Sequence, residues 1–322
     1  MPELYNQQKK EAFIEECVNT AIPAKQCRYL FKKFSKFEES WGADLSTASK
    51  EQLEQALEST VGVRSASNWV FIRYLRMYVT WCKESGDPSV SDAIFHVRVE
   101  ALDKIRTMTV SSPEHLQQCL DEIYEPVEEK TVDITYRAYF WLAYAGMKED
   151  DILKVKCSDV DFNSMQIHYE GQDYPIYPPA VLTLRIASRF PALKYRHPNY
   201  KSDIYRDRAE GNTLVRGFRQ IRNIVSYRQS LSRSIKDALE EGRTQSHLSY
   251  SRVWMSGLFW RAYENEQAGI EADFEQESRD YMAGKEFTYD NIGNPEERKR
   301  RRIARDYAED YRRWKLAWEL TE

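Results

Sequence analysis

Hydrophobic positions recur at helical spacing through the first 83 residues, and they predict four helices there. The predicted helices cover residues 5–18, 25–40, 49–59 and 65–82. Phe31, Phe34 and Phe37 lie along one face of the second helix. The fourth is the clearest, because Val70, Tyr74, Met77 with Tyr78, and Trp81 recur at a spacing of three to four residues.

Two interruptions separate this region from the rest of the chain. The segment 83–92 is rich in Gly, Pro and Ser, and the segment 107–115 ends in a Ser-Ser-Pro-Glu helix start. A helix is expected between them, over residues 94–106. We therefore predict a first, helical domain at 1–106, which includes a linker at about 83–106, and a second domain at 107–322.

The second domain has one predicted hairpin among helices. Strands at 165–169 and 174–177 flank the turn Glu-Gly-Gln-Asp, and prolines at 178 and 179 end the second strand. The predicted helices cover 114–124, 131–146, 148–156, a segment from about 180, 212–240, 250–267 and 295–320. The pattern therefore predicts a mainly α protein with a small antiparallel β element.

Composition supports two packed domains and limits the chemistry. The chain has 322 residues, 42% of them hydrophobic and 30% charged, with only 12 Gly and 11 Pro. Five widely spaced cysteines without a CxxC pair are typical of reduced thiols, so we expect no zinc site and no cofactor. The N-terminus lacks the apolar segment of a signal peptide, and no stretch is long and apolar enough for a membrane span. A cytoplasmic location is expected.

The segment WLAYAGMKEDDILKVKCSDVDF (141–162) carries the most specific pattern. An apolar helix runs into Gly146-Met147-Lys148, an acidic turn and a second apolar stretch follow, and Asp159-Val160-Asp161 precedes the hairpin. This resembles the box of the tyrosine recombinases, or phage integrases, that contains Gly-Leu-Arg. The resemblance implies a helical core-binding-like domain at 1–106 and a mostly helical catalytic-like domain at 107–322.

A second segment, LSYSRVWMSGLFWRAYENE (248–266), resembles the family's His-x-x-Arg at the start of a helix. Arg252 stands at the position of the arginine, and Ser249 stands at the position of the histidine. His247 lies two residues earlier, and a local shift would bring it to the histidine position. That alternative stays open.

The family's reaction needs groups that this chain mostly lacks. The resemblance implies a tyrosine hydroxyl that attacks a DNA phosphodiester, two arginines and a histidine that hold the phosphate, and a hairpin lysine that protonates the leaving oxygen. Lys148 stands at the position of the first arginine. Its ammonium is a point charge and lacks the planar, two-pronged geometry of a guanidinium. No lysine lies between Cys157 and Leu193. Arg252 is the one element of this set that matches the family.

The nucleophile is ambiguous, since the tail contains Tyr281, Tyr289, Tyr307 and Tyr311. Ala-Gly-Lys at 283–285 weakly resembles the family's Leu-Gly-His, but its spacing points to 294–297, where no tyrosine occurs. Tyr307 and Tyr311 are the next candidates. They are also spaced by four residues and followed by Trp314 and Trp318, which is typical of a packed helix face. We therefore favour a structural interpretation and expect little or no strand cleavage.

The net charge of −4 conceals a strongly basic stretch. Residues 185–236 contain 13 Lys and Arg against three Asp and Glu, and tyrosines are interleaved among them. The run at 298–302 is basic as well, but nearby acidic residues favour an exposed helix. The candidate DNA-contacting residues are Lys32, Lys36, Arg64, Arg73, Arg76, Arg206, Arg208, Arg216, Arg219, Arg222 and Arg228.

Three functions are compatible with these observations. The first is a sequence-specific protein that binds double-stranded DNA with a degenerate recombinase site, such as a phage or prophage repressor. The second is an active recombinase that uses Lys148, Arg252 and Tyr307 or Tyr311. The third is a scaffold without a DNA role. A second copy of the chain, or a regulatory protein or peptide, is a further expected partner; a membrane is not.

Overall fold

The computed structural model describes residues 4–18, 20–124, 131–189, 192–195, 204–207, 212–215, 224–282 and 295–320. These residues form two compact units. The first consists of Met1–Ile105 together with Phe274–Glu322, and the second is Arg106–Asp273. The first boundary lies within one residue of the predicted one. The structure differs at the C-terminus, where the last segment groups with the first unit.

Helices dominate both units. The α-helices are α1 Gln7–Cys17, α2 Ala21–Trp41, α3 Lys50–Thr60, α4 Ser65–Glu84, α5 Leu102–Met108, α6 Pro113–Ile123, α7 Thr131–Tyr144, α8 Glu149–Ile152, α9 Ala180–Arg189, α10 Ile224–Glu240, α11 Tyr250–Gln267, α12 Glu275–Met282 and α13 Pro295–Ala317. The strands are β1 Val160–Asp161, β2 Gln166–Tyr169, β3 Gln172–Pro175, β4 Ala192–Tyr195 and β5 Ile204–Asp207.

The core of the first unit combines aromatic packing with buried charge. Phe13, Phe31 and Tyr78 meet edge to face, with ring centroids 5.1–6.0 Å apart. Beside them, the ammonium of Lys10 pairs with the carboxylate of Glu38, and both side chains are fully buried. A buried ion pair of this kind is tolerated because each charge compensates the other.

Helix α13 belongs to the first unit because buried polar contacts fix it there. The carboxylate of Asp310 accepts the backbone N–H of Ser65 at 2.7 Å and pairs with Arg64 at 2.8 Å. The buried guanidinium of Arg313 donates to the carbonyls of Glu100 and Val63. Without the N-terminal segment, the buried Asp310 and Arg313 would lack these hydrogen-bond and ion-pair partners. This explains why α13 belongs to the first unit and not to the second.

Helix α4 is apolar on two faces. The core takes Leu75, Tyr78, Val79 and Cys82, all of which are almost completely buried. Several positions that predicted the helix from sequence lie on the opposite face instead, and Val70 is 40% exposed. Since both faces carry large apolar residues, helical spacing predicted the helix without identifying its buried side.

The predicted helix at 94–106 is only partly present. A single 3₁₀ turn spans Ala93–Phe95, and α5 begins at Leu102. Ala101 lies between them in a left-handed conformation, with φ 53°, which interrupts any continuous helix.

The second unit surrounds α7, whose residues from Ala138 to Tyr144 are buried throughout. A three-stranded antiparallel sheet has the order β1-β2-β3. Its hairpin is tighter than predicted, because Tyr169 pairs with Gln172 and only Glu170 and Gly171 form the turn. Both turn residues have positive φ, 48° and 78°, as a type I′ turn requires.

Three further predictions for this unit need correction. Helix α8 covers Glu149–Ile152 and not the whole of 148–156. Residues 212–215 are not helical: Thr213 forms an antiparallel bridge with Lys156, and the N–H of Leu214 donates to the carbonyl of Val155. The antiparallel pair β4–β5 was not predicted, since its short segments lack strand alternation. Much of the predicted helix 212–240 lies outside the described residues, and α10 is the part observed.

The predicted fold class is confirmed: the protein is mainly α with a small antiparallel sheet. Among the described helices, none has both the length and the apolar character required to cross a membrane.

Candidate nucleic-acid interface and phosphate site

Helices α7 and α11 of the second unit are in direct backbone contact. A Cβ atom at Gly257 would lie 1.8 Å from the carbonyl oxygen of Tyr144, so only glycine fits there. Arg261, one turn further on, donates its Nη1 to the same carbonyl at 2.7 Å. This contact fixes the position of α11 against the end of α7.

The same contact brings the two recombinase-like segments together. Tyr250 donates its hydroxyl to the carbonyl of Met147 at 2.9 Å, and Trp254 donates its indole N–H to the carbonyl of Gly146 at 3.0 Å. Gly146 has φ 104°, a conformation that side-chain-bearing residues rarely adopt. The turn 146–148 and the first turn of α11 therefore form one structural element, although about 100 residues separate them in the sequence.

Lys148 and Arg252 each lie at the beginning of a helix in this element. Lys148 is the exposed residue that precedes α8. Arg252 is half-buried in the first turn of α11; its Nη1 donates to the carbonyl of His247 at 2.5 Å, and burial lowers the pKa of its guanidinium. The start of a helix favours an anion through its free N–H groups. Two cationic groups with this placement can attract a phosphate.

The histidine position contains no imidazole. Ser249 precedes the first residue of α11 without making a side-chain capping hydrogen bond, and its hydroxyl lies 3.4 Å from that of Ser251. His247 is held in the preceding segment by its backbone N–H, which donates to the carbonyl of Thr107 at 2.8 Å. The shift of His247 into the histidine position is not the arrangement observed.

Glu149 is a residue of this site that sequence reasoning did not single out. Its carboxylate accepts the hydroxyl of Tyr139 and the Nε of Arg228, both at 2.6 Å, and also pairs with Nη2 of Arg228. These residues line a cavity of about 370 Å³ together with Ser249 and neighbouring side chains. The signal available in the sequence was an acidic residue directly after Lys148.

This arrangement opposes phosphate binding at the cavity. A largely buried carboxylate repels a phosphodiester, and the guanidinium of Arg228 is already neutralised by it. The ion pair also raises the pKa of the Arg228 guanidinium, chiefly through its hydrogen bond to Glu149. Arg228, a predicted DNA contact, therefore has an internal partner.

The β2–β3 hairpin offers a different pair of groups where the family has its lysine. His168 and Asp173 face each other across the strands, with Nδ1 and Oδ1 2.7 Å apart, and both side chains are exposed. The Asp161 carboxylate before the hairpin accepts the N–H of Asn163, which lowers its pKa. Since the hairpin sequence has no lysine, an ammonium group to protonate a leaving oxygen is absent.

Tyr307 and Tyr311 are buried in the first unit. Tyr307 is 3% exposed and Tyr311 4%, and both rings pack against Phe274. The guanidinium of Arg64 lies over the ring of Tyr307, 4.9 Å from its centroid. Both side chains are enclosed in the core of the first unit. Tyr289 lies outside the described residues, as does the side chain of Tyr281.

Among the predicted DNA contacts, Lys32 and Lys36 are exposed on α2. Lys36 contributes to a basic region: the pKa of Lys104 is lowered mainly by burial and also by the charges of Lys33 and Lys36, while Glu58 opposes the shift. Arg64 pairs with Asp310 and has a structural role. Arg73 and Arg76 project from the outer face of α4.

The remaining predicted contacts cannot be placed. Arg208, Arg216, Arg219 and Arg222 lie outside the described residues, and only the backbone of Arg206 is described, in β5. The basic stretch 185–236 therefore stays a prediction. Within the described part of the chain, no cluster of His, Cys, Asp and Glu has the arrangement of a metal site.

Residues 4–84, which include α1 to α4, match the family model for the N-terminal core-binding domain of MrpR. The first unit contains a core-binding-like domain. This confirms that part of the predicted architecture. A comparison with curated proteins gave no match.

Two solved structures have a low similarity to the chain. One is the crystal structure of XerA recombinase, at 12% identity and TM-score 0.36, with 81% of this chain and 86% of that chain covered. The other is the Tn1549 transposon integrase in complex with a circular intermediate DNA, at 12% identity and TM-score 0.33, with 84% and 89% covered. Both TM-scores are below 0.5, so neither structure supports an inference here.

Proposed function

We propose that this protein is a sequence-specific DNA-binding protein of tyrosine recombinase architecture whose cleavage site is degenerate, and that it acts as a phage or prophage repressor. The observation that carries the proposal is the joined element of Gly146–Lys148 and the start of α11. It preserves the framework of a phosphate site, while the groups required for strand cleavage are missing.

The departures from the recombinase pattern change the functional groups of the site and not its backbone framework. Lys148 replaces a guanidinium fork, Ser249 replaces an imidazole, and Glu149 places a carboxylate in the adjoining cavity. Efficient cleavage needs charge stabilisation and proton transfer at the same phosphate. A site that keeps Lys148 and Arg252 alone can attract a phosphate without breaking its ester bond.

Basic residues in both units support DNA as the ligand. Exposed Lys32 and Lys36 provide positive charge on α2. The stretch 185–236 adds a large excess of Lys and Arg in the second unit. Charge of this kind neutralises backbone phosphates and makes affinity strongly dependent on salt. The core-binding-like match at 4–84 is consistent with the same role.

A mobility-shift assay across a salt series tests DNA binding. The DNA is first selected from genomic fragments with the full-length protein. Affinity is expected to fall by about 0.9 log units per phosphate contact for each log unit of salt. The double variant Lys32→Glu/Lys36→Glu should weaken binding to every fragment and reduce this slope. Lys50→Glu, an exposed reversal on α3, is the matched control. Absence of binding at low salt would exclude the proposal.

Active strand transfer is the second candidate, because Lys148 and Arg252 keep positive charge at adjoining helix starts. A nicked suicide substrate that carries the selected site distinguishes the two functions. The degenerate site predicts no covalent protein–DNA adduct. An adduct that disappears in Tyr307→Phe or Tyr311→Phe would establish the recombinase instead.

A further inference from the structure

The outer face of α4 combines large exposed apolar side chains with opposite charges at its two ends. Trp69 is 63% exposed and Val70 40%, and Phe95 from the following 3₁₀ turn is 41% exposed. Three of the seven large hydrophobic residues exposed in the described structure therefore lie in one region. A patch of this kind on a folded domain is typical of an interaction surface.

Helical geometry aligns Trp69 with five further positions of α4, and these six positions form one stripe. Positions 69, 73, 76, 77, 80 and 84 fall within about 100° of one another on the helix. They line a groove of about 310 Å³ together with Trp81 and, from α1, Cys17. The stripe extends over about 22 Å of the helix axis, at 1.5 Å per residue. This length suits a second helix packed against it.

Arginine is held between aromatic rings in the first half of the stripe. The guanidinium of Arg76 lies 5.8 Å from the ring centroid of Trp69 and 6.0 Å from that of Phe95. Arg73 is exposed one turn after Trp69. Tryptophan and arginine are the residues most enriched among those that dominate binding energy at protein interfaces.

The second half of the stripe is acidic. Glu84 lies at its end, and the carboxylate of Glu16 from α1 accepts the indole N–H of Trp81 at 2.7 Å. The basic half and the acidic half are therefore complementary to each other. They meet when two copies of the stripe pack antiparallel, as they do around a two-fold axis.

We propose that the outer face of α4 is a homodimer interface, with two α4 helices packed antiparallel around an axis between Met77 and Thr80. In this arrangement Arg73 of each copy faces Glu84 of the other copy. Arg76 of one copy meets Trp81 of the other. Met77 and Trp81 lie at the centre of this contact, and Trp69 lies at its rim, opposite the residues that follow α4 in the other copy.

A DNA surface fits these observations less well. Protein–DNA interfaces are polar and strongly positive, whereas this groove is lined by Trp69, Met77 and Trp81 and ends in a carboxylate. The inference concerns association of the chain and does not depend on the proposed DNA binding.

Sedimentation velocity of the full-length protein, from about 1 to 100 µM, tests the proposal. A reversible dimer with micromolar dissociation constant is expected. Arg73→Glu and Glu84→Arg should each weaken it by at least about tenfold, because each places like charges opposite one another at two symmetric positions. The double variant Arg73→Glu/Glu84→Arg should restore dimerisation, since the pair is reversed and not removed.

Controls separate this surface from the alternatives. Tyr29→Ala removes another exposed aromatic, on α2, and should leave the dimer unchanged, whereas Trp69→Ala should weaken it. Circular dichroism of each variant verifies folding. A monomer at every concentration overturns the proposal, as does a dimer that the single reversals do not affect. If the single reversals weaken DNA binding and the double variant fails to restore the dimer, the stripe is a DNA contact instead.

Discussion

The two units bury charge in different ways. In the first unit both members of an ion pair are enclosed: Lys10 and Glu38 are each 0% exposed. In the second unit one member stays near the surface, as with buried Arg137 and Asp121, whose side chain is 56% exposed. The second unit instead depends on a close backbone approach at Gly257. The first unit is therefore sensitive to lost charges, and the second to added volume.

The largest effect is expected from Gly257→Val, which tests the sensitivity of the second unit to volume. Its side chain cannot be accommodated against the carbonyl of Tyr144, so α11 must leave α7 and the unit should not fold. Gly257→Ala should cost about 3 kcal/mol. Urea unfolding measures the loss, and hydrogen exchange should localise it to peptides of α7 and α11. Gly62→Ala, where nothing lies within 4 Å, is the control; equal effects at both glycines would contradict the contact.

Asp310→Ala tests the first unit. It removes the buried one of the two carboxylates that lie 3.7 Å from the Arg313 guanidinium, together with the acceptor of the Ser65 N–H, and should destabilise the unit by about 3–5 kcal/mol. Loosening of α13 should also make the region of Tyr307 and Tyr311 sensitive to limited proteolysis. Asp306→Ala, on the same helix, is the matched control and should cost little. If Asp310→Ala left the unfolding midpoint unchanged, the buried network would have no role in holding α13.

The Lys10–Glu38 pair predicts a pH dependence confined to the first unit. Burial raises the pKa of Glu38 from 4.5 to about 7, although Lys10 and the N–H of Leu45 oppose the shift. The folded chain then keeps a proton that the unfolded chain releases. Stability from this group is fully present below pH 4.5 and is lost as the pH rises through about 7, by roughly 3 kcal/mol in total.

Urea unfolding at pH 5 and pH 8 measures this dependence. Glu38→Gln should remove the part of the difference in unfolding free energy between pH 5 and pH 8 that this carboxyl contributes. Glu39→Gln changes an exposed neighbour and should preserve that difference. A difference that persists in Glu38→Gln would assign the pH dependence to other groups.

The smallest effect is expected from Lys148→Arg. It restores the fork that the recombinase pattern has at this position, yet Ser249 and Glu149 remain, and Tyr307 and Tyr311 stay buried in the other unit. DNA affinity should change by less than about threefold, and no covalent adduct should form. Lys154→Arg, at an exposed lysine that follows α8, is the control. Adduct formation by Lys148→Arg alone would show that a single side chain separates this site from an active one.

Helix periodicity allowed most elements to be predicted from sequence. Helices α1, α2, α3, α4, α6 and α11 lie close to their predicted bounds because their apolar positions and start residues are local signals, such as the Ser49–Gln52 capping box at α3. The short elements were less predictable. The type I′ turn at Glu170–Gly171 was predicted two residues too long, since only strand pairing decides where a hairpin stops.

Some features of the candidate site could likewise be predicted from sequence, and others could not. Gly146, Lys148, Ser249 and Arg252 were found from sequence because the pattern of a motif is local. The sequence did not predict that Tyr250 and Trp254 hold these two segments together, nor that Glu149 pairs with Arg228. These contacts join residues about 80 to 110 positions apart.

Sequence alone determined the helical class, the two motif segments and the residue types at positions 148 and 249. Those properties depend on residue identity and short-range spacing. Only the tertiary structure decided that the last helix packs with the first unit, that Tyr307 and Tyr311 are enclosed there, and that α4 exposes an apolar face. Each of these features depends on which surfaces pack against each other. The free energy of contacts between residues distant in the sequence determines that packing.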